Sequence, residues 1–377
     1  MTTALIVAAC GALILLWWHA IDEGLRALLI AKGLPFDARK ARRTTIAVWT
    51  TVLITSAIVL WPKPETLVTD TALATPPPVA ARYTEDSLWY GPDTASIAGM
   101  EGTRASLVRY GRELIANTAA YLGPQGSVGH FSNGMNCQNC HLDAGTRPWG
   151  NNYGAVWSQY PKFRERSGRK ETVVKRVNDC MERSLNGTAL DSTGREMQAI
   201  LAYMEWLGTG IPRGETPKGT GITEVAYLDR AADIKRGEGV FTAKCISCHS
   251  EDGQGKLNAD GLAYMYPPLW GPSSYNIGAG LFRLSRFAGY VKANMPQGAT
   301  WDNPQLTDEE AWDVAAYINS QQRPDRDLSG DWPRLEGKPF DHPFGPYADA
   351  FTDQQHKYGP FAEIKALADS RKKQQKK

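Results

Sequence analysis

The pentapeptide Cys-x-x-Cys-His occurs twice in this chain, as Cys137-Gln138-Asn139-Cys140-His141 and as Cys245-Ile246-Ser247-Cys248-His249. Two thiols on one short turn can reach the two vinyl groups along a porphyrin edge, and the adjoining imidazole then lies beneath the iron. The chemistry these residues can do is covalent attachment of two c-type haems. Cys137, Cys140, Cys245 and Cys248 would form the thioether links, and His141 and His249 would be the proximal iron ligands. Zinc or thioredoxin-like Cys-x-x-Cys sites are the bland alternative, and a His directly after the second Cys in both copies argues against them.

Each iron leaves one further axial position, whose occupant sets potential and reactivity. For the second haem the sequence offers Met295, in Ala293-Asn294-Met295-Pro296, with Met265 in Tyr264-Met265-Tyr266 as its rival. A His–Met pair raises the potential and suits an electron exit. The first motif has no Asn-Met-Pro equivalent; Cys180 stands downstream of it instead. Two readings stay open there. Cys180 is a thiolate ligand that lowers the potential of the first haem and sets a reactive sulfur beside iron, or it is a buried small residue and Met181, Met197 or Met204 is the ligand. Between residues 145 and 180, Arg147, Lys162, Arg164, Arg166, Arg169, Lys170, Lys175 and Arg176 outnumber Glu165, Glu171 and Asp179. Guanidinium forks bind oxyanions bidentately, and a positive field favours the thiolate. A solvated basic surface that docks an acidic redox partner is the competing account.

The elements that must hold these groups follow a duplicated pattern. A first unit opens on a helical pattern around Arg109-Tyr110-Gly111-Arg112 and closes at residues 197–207; a second opens at Lys235-Arg236-Gly237-Glu238 and closes at residues 308–321. The closing segments share Ala202-Tyr203 and Ala316-Tyr317, which predicts an opening helix whose Gly lets it cross close against a closing helix bearing an aromatic. Thr307 and Glu310 form a capping-box signal at the start of the last of these. Beyond residue 323 the chain is rich in Pro, Gly and aromatics without helical period, an irregular wrap over the two units that ends in a solvated basic tail.

Before the two units, residues 4–21 and 44–61 are apolar runs near the length a helix needs to cross a bilayer. The loop between them carries Arg26, Lys32, Arg39, Lys40, Arg42 and Arg43 against Asp22, Glu23 and Asp37, a bias that keeps it in the cytoplasm and sends both flanks outward. A cleaved signal peptide is the alternative, but residues 1–4 lack the basic start of one. Cys10 lies within the first run and is read as a packing residue. The fold class expected is therefore mainly α, two cytochrome c-like helical domains in tandem behind an N-terminal two-helix transmembrane anchor, with an irregular C-terminal wrap. Its parts are a two-span anchor at 1–61, a proline-rich linker at 62–85, a first haem domain at 86–215, a second at 216–323 and an extension at 324–377. A net charge of only +2 over 377 residues suggests no nucleic-acid partner.

Three stretches together carry a family likeness: Gly134-Met135-Asn136 leading into the first haem motif, the run from Arg176 to Gly187 around Cys180, and Pro268-Leu269-Trp270-Gly271 with Asn294-Met295-Pro296. They resemble the dihaem thiosulfate dehydrogenases, over roughly residues 88 to 361. The resemblance implies that two thiosulfates are joined oxidatively to tetrathionate at a haem with His and Cys ligands, and that electrons leave through a second haem. It implies Cys180 as distal ligand of haem 1, Arg166 and Arg176 as substrate-binding arginines with Ser184 close by, and His249 and Met295 as ligands of haem 2. Typical members of the family lack a two-span anchor, so the acceptor is either a soluble cytochrome or a membrane-embedded partner. The expected protein sits in the inner membrane with its haem domains in the periplasm. The competing reading is a non-enzymatic dihaem electron-transfer subunit of a membrane respiratory complex; tetrathionate reduction is a third.

Overall fold

The computed structural model of the chain describes residues 88–375 together with 31–32. The expected membrane spans, Cys10 and the proline-rich linker lie outside the described residues. Among the described residues no helix is long and apolar enough to cross a membrane.

Helices dominate what is described, and the strands form only two short antiparallel hairpins. The first unit opens with α1 (Gly102–Ala116), carries a hairpin of β1 (Lys162–Arg164) and β2 (Arg169–Glu171), and continues into α2 (Val173–Arg183) and α3 (Arg195–Leu207). The second is built on α4 (Ile234–Lys244), α5 (Leu284–Asn294) and α6 (Asp308–Ser320). Each opening helix packs against its closing helix, α1 on α3 and α4 on α6. The expected glycines sit at these crossings. A Cβ at Gly111 would lie 2.0 Å from the Ala199 carbonyl oxygen, and one at Gly237 would lie 1.9 Å from that of Asp313. The expected aromatics are there too, since the same hypothetical atoms would press on the Cβ of Tyr203 and of Tyr317. The capping box at α6 is also formed: Thr307 Oγ1 accepts from the Glu310 N–H at 3.1 Å, and the Glu310 carboxylate accepts from the Thr307 N–H at 2.9 Å.

Two apolar cores result, and they do not divide cleanly by sequence. Tyr275, Ala279 and Phe282 follow the second haem motif in sequence but pack into the core of the first unit, beside Met181 and Met197. The extension beyond residue 323 is mostly irregular as expected, yet it contains α7 (Asp353–Tyr358) and α8 (Ala362–Gln375). The basic end is thus helical through Gln375 rather than frayed from Arg371. Ile364, 1 % exposed, anchors the first turn of α8, and once a turn is nucleated good helix formers propagate it. The extension is fastened by Asp341, whose carboxylate accepts from Arg283 Nε at 2.8 Å and Nη2 at 2.5 Å, and from the Ser285 N–H at 3.1 Å, at the start of α5. Burial alone would raise the Asp341 pKa, but Arg283 and Ser285 outweigh it and hold the carboxyl below its ordinary value.

Two stability measurements check this packing. Gly237→Ala forces the α4–α6 pair apart and is expected to destabilise by at least about 2 kcal/mol, a melting-temperature loss of roughly 4 °C or more. Gly239→Ala, on the same helix with open space around it, leaves the melting temperature unchanged or raises it. Asp341→Asn leaves Arg283 with a half-broken buried pair and is expected to destabilise by about 3 kcal/mol at neutral pH. Because the folded pKa lies below the unfolded value of about 3.9, the ionised carboxylate stabilises fully above that value and its contribution disappears as pH falls through the folded one. The gap in denaturation midpoint between parent and variant should therefore close only in acid.

Candidate haem and anion site

Each haem motif is a tight turn held by its neighbours. The Cys137 N–H donates to Thr118 Oγ1 at 2.9 Å, Gln138 Nε2 donates to the Ala116 carbonyl at 2.6 Å, and Asn136 Oδ1 accepts from the Ala119 N–H at 2.8 Å. These bonds pin the first turn to the end of α1. His141 then stacks on Tyr153, ring centroids 4.4 Å apart, and its Nδ1 meets the Asn151 carbonyl at 2.5 Å. His249 Nδ1 meets the Pro267 carbonyl at 2.9 Å. In both cases the carbonyl fixes the proton on Nδ1 and leaves Nε2 as a lone-pair donor, the arrangement a metal-ligating imidazole needs. Burial lowers both imidazole pKa values, that of His141 to about 4, so each ring is neutral.

A cavity of about 1090 Å³, at the upper end of ligand-pocket volumes, is lined by Cys245, Cys248, His249 and Met295. Its donor set, two thiols at one edge and an imidazole and a thioether on its walls, fits a covalently held haem. Met265 lines the same cavity but is 59 % exposed, whereas Met295 is half-buried at the C-cap of α5. The cavity also reaches Cys140 of the first motif. Tyr290 Oη donates to the Asn139 carbonyl at 3.0 Å and Asn294 Nδ2 to that of Trp149 at 3.1 Å, so α5 ties the loop of Met295 to the first haem turn.

Helix α2 brings a further sulfur near the first haem turn. Thr172 caps it, accepting from the Lys175 N–H at 3.3 Å, and Val173, Val177 and Met181 bury its apolar stripe. Arg176, Cys180 and Ser184 follow at four-residue steps in a row that runs directly beside that stripe, Ser184 being the half-buried C-cap whose N–H bonds to the Cys180 carbonyl. Cys180 is half-buried, within electrostatic reach of Cys137, Cys140 and Tyr153. Met181, Met197 and Met204 are instead buried in the apolar core. The Arg176 guanidinium makes no hydrogen bond or ion pair within 4 Å among the described residues, and its pKa is held above the ordinary value first by the Cys180 sulfur. An unpaired guanidinium thus lies within electrostatic reach of the sulfur.

Arg166 approaches from the β1–β2 turn. Its Nη1 donates to the Gly278 carbonyl at 2.7 Å, its guanidinium lies over the Trp332 ring, and burial with the nearby Arg183 depresses its pKa to about 10. Sequence reasoning missed Arg183 and Asp331. Arg183 sits in a charge-rich run and reads as surface, yet it is 9 % exposed and forms a two-pronged pair with Asp331, both bonds 2.8 Å. No short-range signal links two residues so far apart in sequence.

Comparison with known proteins agrees with this geometry. Residues 129–212 match the family described as SoxA/TsdA, cytochrome c domain, and residues 234–322 match cytochrome c. The chain is 42 % identical over 223 residues to the thiosulfate dehydrogenase of Allochromatium vinosum, covering 58 % of this chain and 78 % of that protein. It is 36 % identical over 218 residues to that of Stutzerimonas stutzeri, covering 58 % and 68 %. Among solved structures, the thiosulfate dehydrogenase TsdBA from Marichromatium purpuratum superposes with a TM-score of 0.58 at 34 % identity, over 63 % of this chain and half of that one. With two cytochrome c domains, two covalent haems c as cofactors and relatives that match over most of their own length, this chain belongs to the thiosulfate dehydrogenase family of oxidoreductases.

Proposed function

We propose that this protein oxidises thiosulfate to tetrathionate at the first haem, with electrons passing to the second and on to a soluble cytochrome or membrane-embedded acceptor. The observation that carries the reading is the α2 face on which Arg176, Cys180 and Ser184 stand one turn apart, the sulfur in reach of Cys137 and Cys140 and the guanidinium unpaired. An electron conduit has no use for an unpaired cation beside a sulfur. In this reading His141 and Cys180 are the ligands at haem 1, and His249 and Met295 those at haem 2. Inner-membrane anchoring with the haem domains in the periplasm rests on the apolar runs at 4–21 and 44–61 and the basic loop between them.

Arg166 and Arg176 hold the substrate dianions and offset their mutual repulsion, and Ser184 offers a hydroxyl at the same helix end. The Cys180 thiolate joins the sulfane sulfur of one thiosulfate, forming an S–S bond and releasing two electrons. A second thiosulfate then attacks that sulfane sulfur, so that tetrathionate forms and the Cys180–sulfur bond breaks, returning the thiolate. Haems held through the two Cys-x-x-Cys-His motifs would supply the one-electron acceptors that these two electrons require. No proton changes hands in either step, so the side chains need only bind, orient and exclude water.

Cys180→Gly is expected to lower thiosulfate-dependent reduction of an artificial acceptor by at least about a hundredfold while haem staining shows both cofactors still attached. Tetrathionate formation at the parent rate would reject Cys180 and the reading with it.

A further inference from the structure

The C-terminal extension brings a carboxylate into the anion recess. Asp331 accepts from Arg183 Nη1 and Nη2 at 2.8 Å each, and its Oδ2 lies 3.6 Å from Arg166 Nη1. All three side chains are largely enclosed, at 10 % exposure for Arg183 and Asp331 and 14 % for Arg166. The same Gly278 carbonyl accepts from Arg166 at 2.7 Å and Arg183 at 3.5 Å, so two guanidiniums converge on one oxygen. Two buried cations this close repel unless a carboxylate lies between them. The backbone is committed to the arrangement as well. Trp332 holds a φ of +61°, a left-handed conformation a tryptophan rarely adopts, and its N–H donates to the Arg166 carbonyl at 2.7 Å. Outside the recess, Arg334 donates to both oxygens of Glu165 at 2.9 and 2.7 Å, a separate and exposed clamp on the β1–β2 turn.

We propose that Asp331 is a positioning residue of the anion recess. Its carboxylate neutralises Arg183 and fixes the Nη1 edge of Arg166 against Gly278. The Nε and Nη2 groups of Arg166, which have no partner among the described residues, are thereby presented to thiosulfate. The proposal rests on the function proposed above and adds to it a residue from the extension that touches no substrate.

The test compares steady-state kinetics of the full-length dihaem protein and its variants with thiosulfate and an artificial acceptor. Asp331→Asn keeps the shape of the side chain and removes the charge. It is expected to raise KM for thiosulfate about tenfold, the effect of one misplaced charge-assisted hydrogen bond, while kcat stays within about threefold. Arg334→Ala breaks the outer clamp alone and is expected to leave KM at the parent value. Should Asp331→Asn fail to accumulate, Arg183→Gln removes the fork from the other side and carries the same expectation. An unchanged KM in Asp331→Asn, or an equal rise in Arg334→Ala, would overturn the proposal, the second outcome reducing Asp331 to a tether of the extension. Arg166→Ala separates the two layers. If it raises KM while Asp331→Asn does not, the positioning role alone falls; if it leaves KM unmoved, the substrate assignment falls and takes Asp331 with it.

Discussion

Two helices can cross with their backbones in contact only where no side chain projects between them, and the architecture depends on that contact being made twice. At Gly111 and Gly237 even a single methyl group would stand at about half of a normal contact distance from a facing carbonyl. Because α1 is seated on α3 in this way, its end at Ala116 and the following Thr118 are placed to bond Gln138 and Cys137 of the first haem turn. In the second unit α4 runs directly into Cys245, whose N–H bonds back to the Phe241 carbonyl at 2.8 Å. The cofactor chemistry is thus anchored in each unit to a helix crossing with backbones in contact, and a loosened crossing would misplace a proximal imidazole.

The two sites diverge through the segments that lie near each haem turn. In the second unit the facing segment is the end of α5, where the chain turns extended at Met295 and leaves a thioether on the wall of a large, mainly apolar cavity. In the first, the neighbouring element is an amphipathic helix that carries a sulfur and a cation along the edge of its apolar stripe. A half-buried sulfur beside an unpaired guanidinium is an electrostatic arrangement that packing alone does not produce. Helix α2 is seated by Val173, Val177 and Met181 in the apolar core, and the row of Arg176 and Cys180 borders that stripe, so the packing fixes where the sulfur and the cation stand.

Much of this was legible in the sequence because the signals are short-range. The haem motifs declare themselves within five residues, the capping box at Thr307 within four, and the helix crossings through a Gly in one helical pattern and an Ala-Tyr pair in another. Cys180 drew notice because it is the one cysteine beyond residue 10 that no haem motif consumes, and Arg166 and Arg176 because they lie in a basic run. The partners of Arg166 were not legible. Asp331 and Trp332 lie in an aperiodic stretch, and their meeting with the β1–β2 turn is a tertiary event without a local pattern. The end of helix α8 is not legible for a related reason: its last residues look like a solvated charge run, while the buried Ile364 that nucleates it lies upstream.

The arginine cluster has a balance that the proposed chemistry makes intelligible. Two thiosulfate dianions brought to about 4 Å repel across four unit-charge pairs, each on the order of 4 kcal/mol near a protein surface, so the recess must supply cations before their sulfurs can meet. Arg166 lies within reach of both Arg176 and Arg183, yet Arg183 is neutralised by Asp331, and the second buried carboxylate nearby, Asp179, is paired with Lys175. The recess is left with the charges of Arg166 and Arg176 to set against its substrates. Tetrathionate is a dianion, carrying half the charge of the pair that forms it, so the same two cations hold the product against less internal repulsion than the reactants. A third uncompensated cation would deepen that hold on product without bringing the reacting sulfurs closer. Turnover favours binding that grips two anions together and releases one, and a carboxylate delivered from the extension is a physical means of limiting the charge while keeping the donors in place.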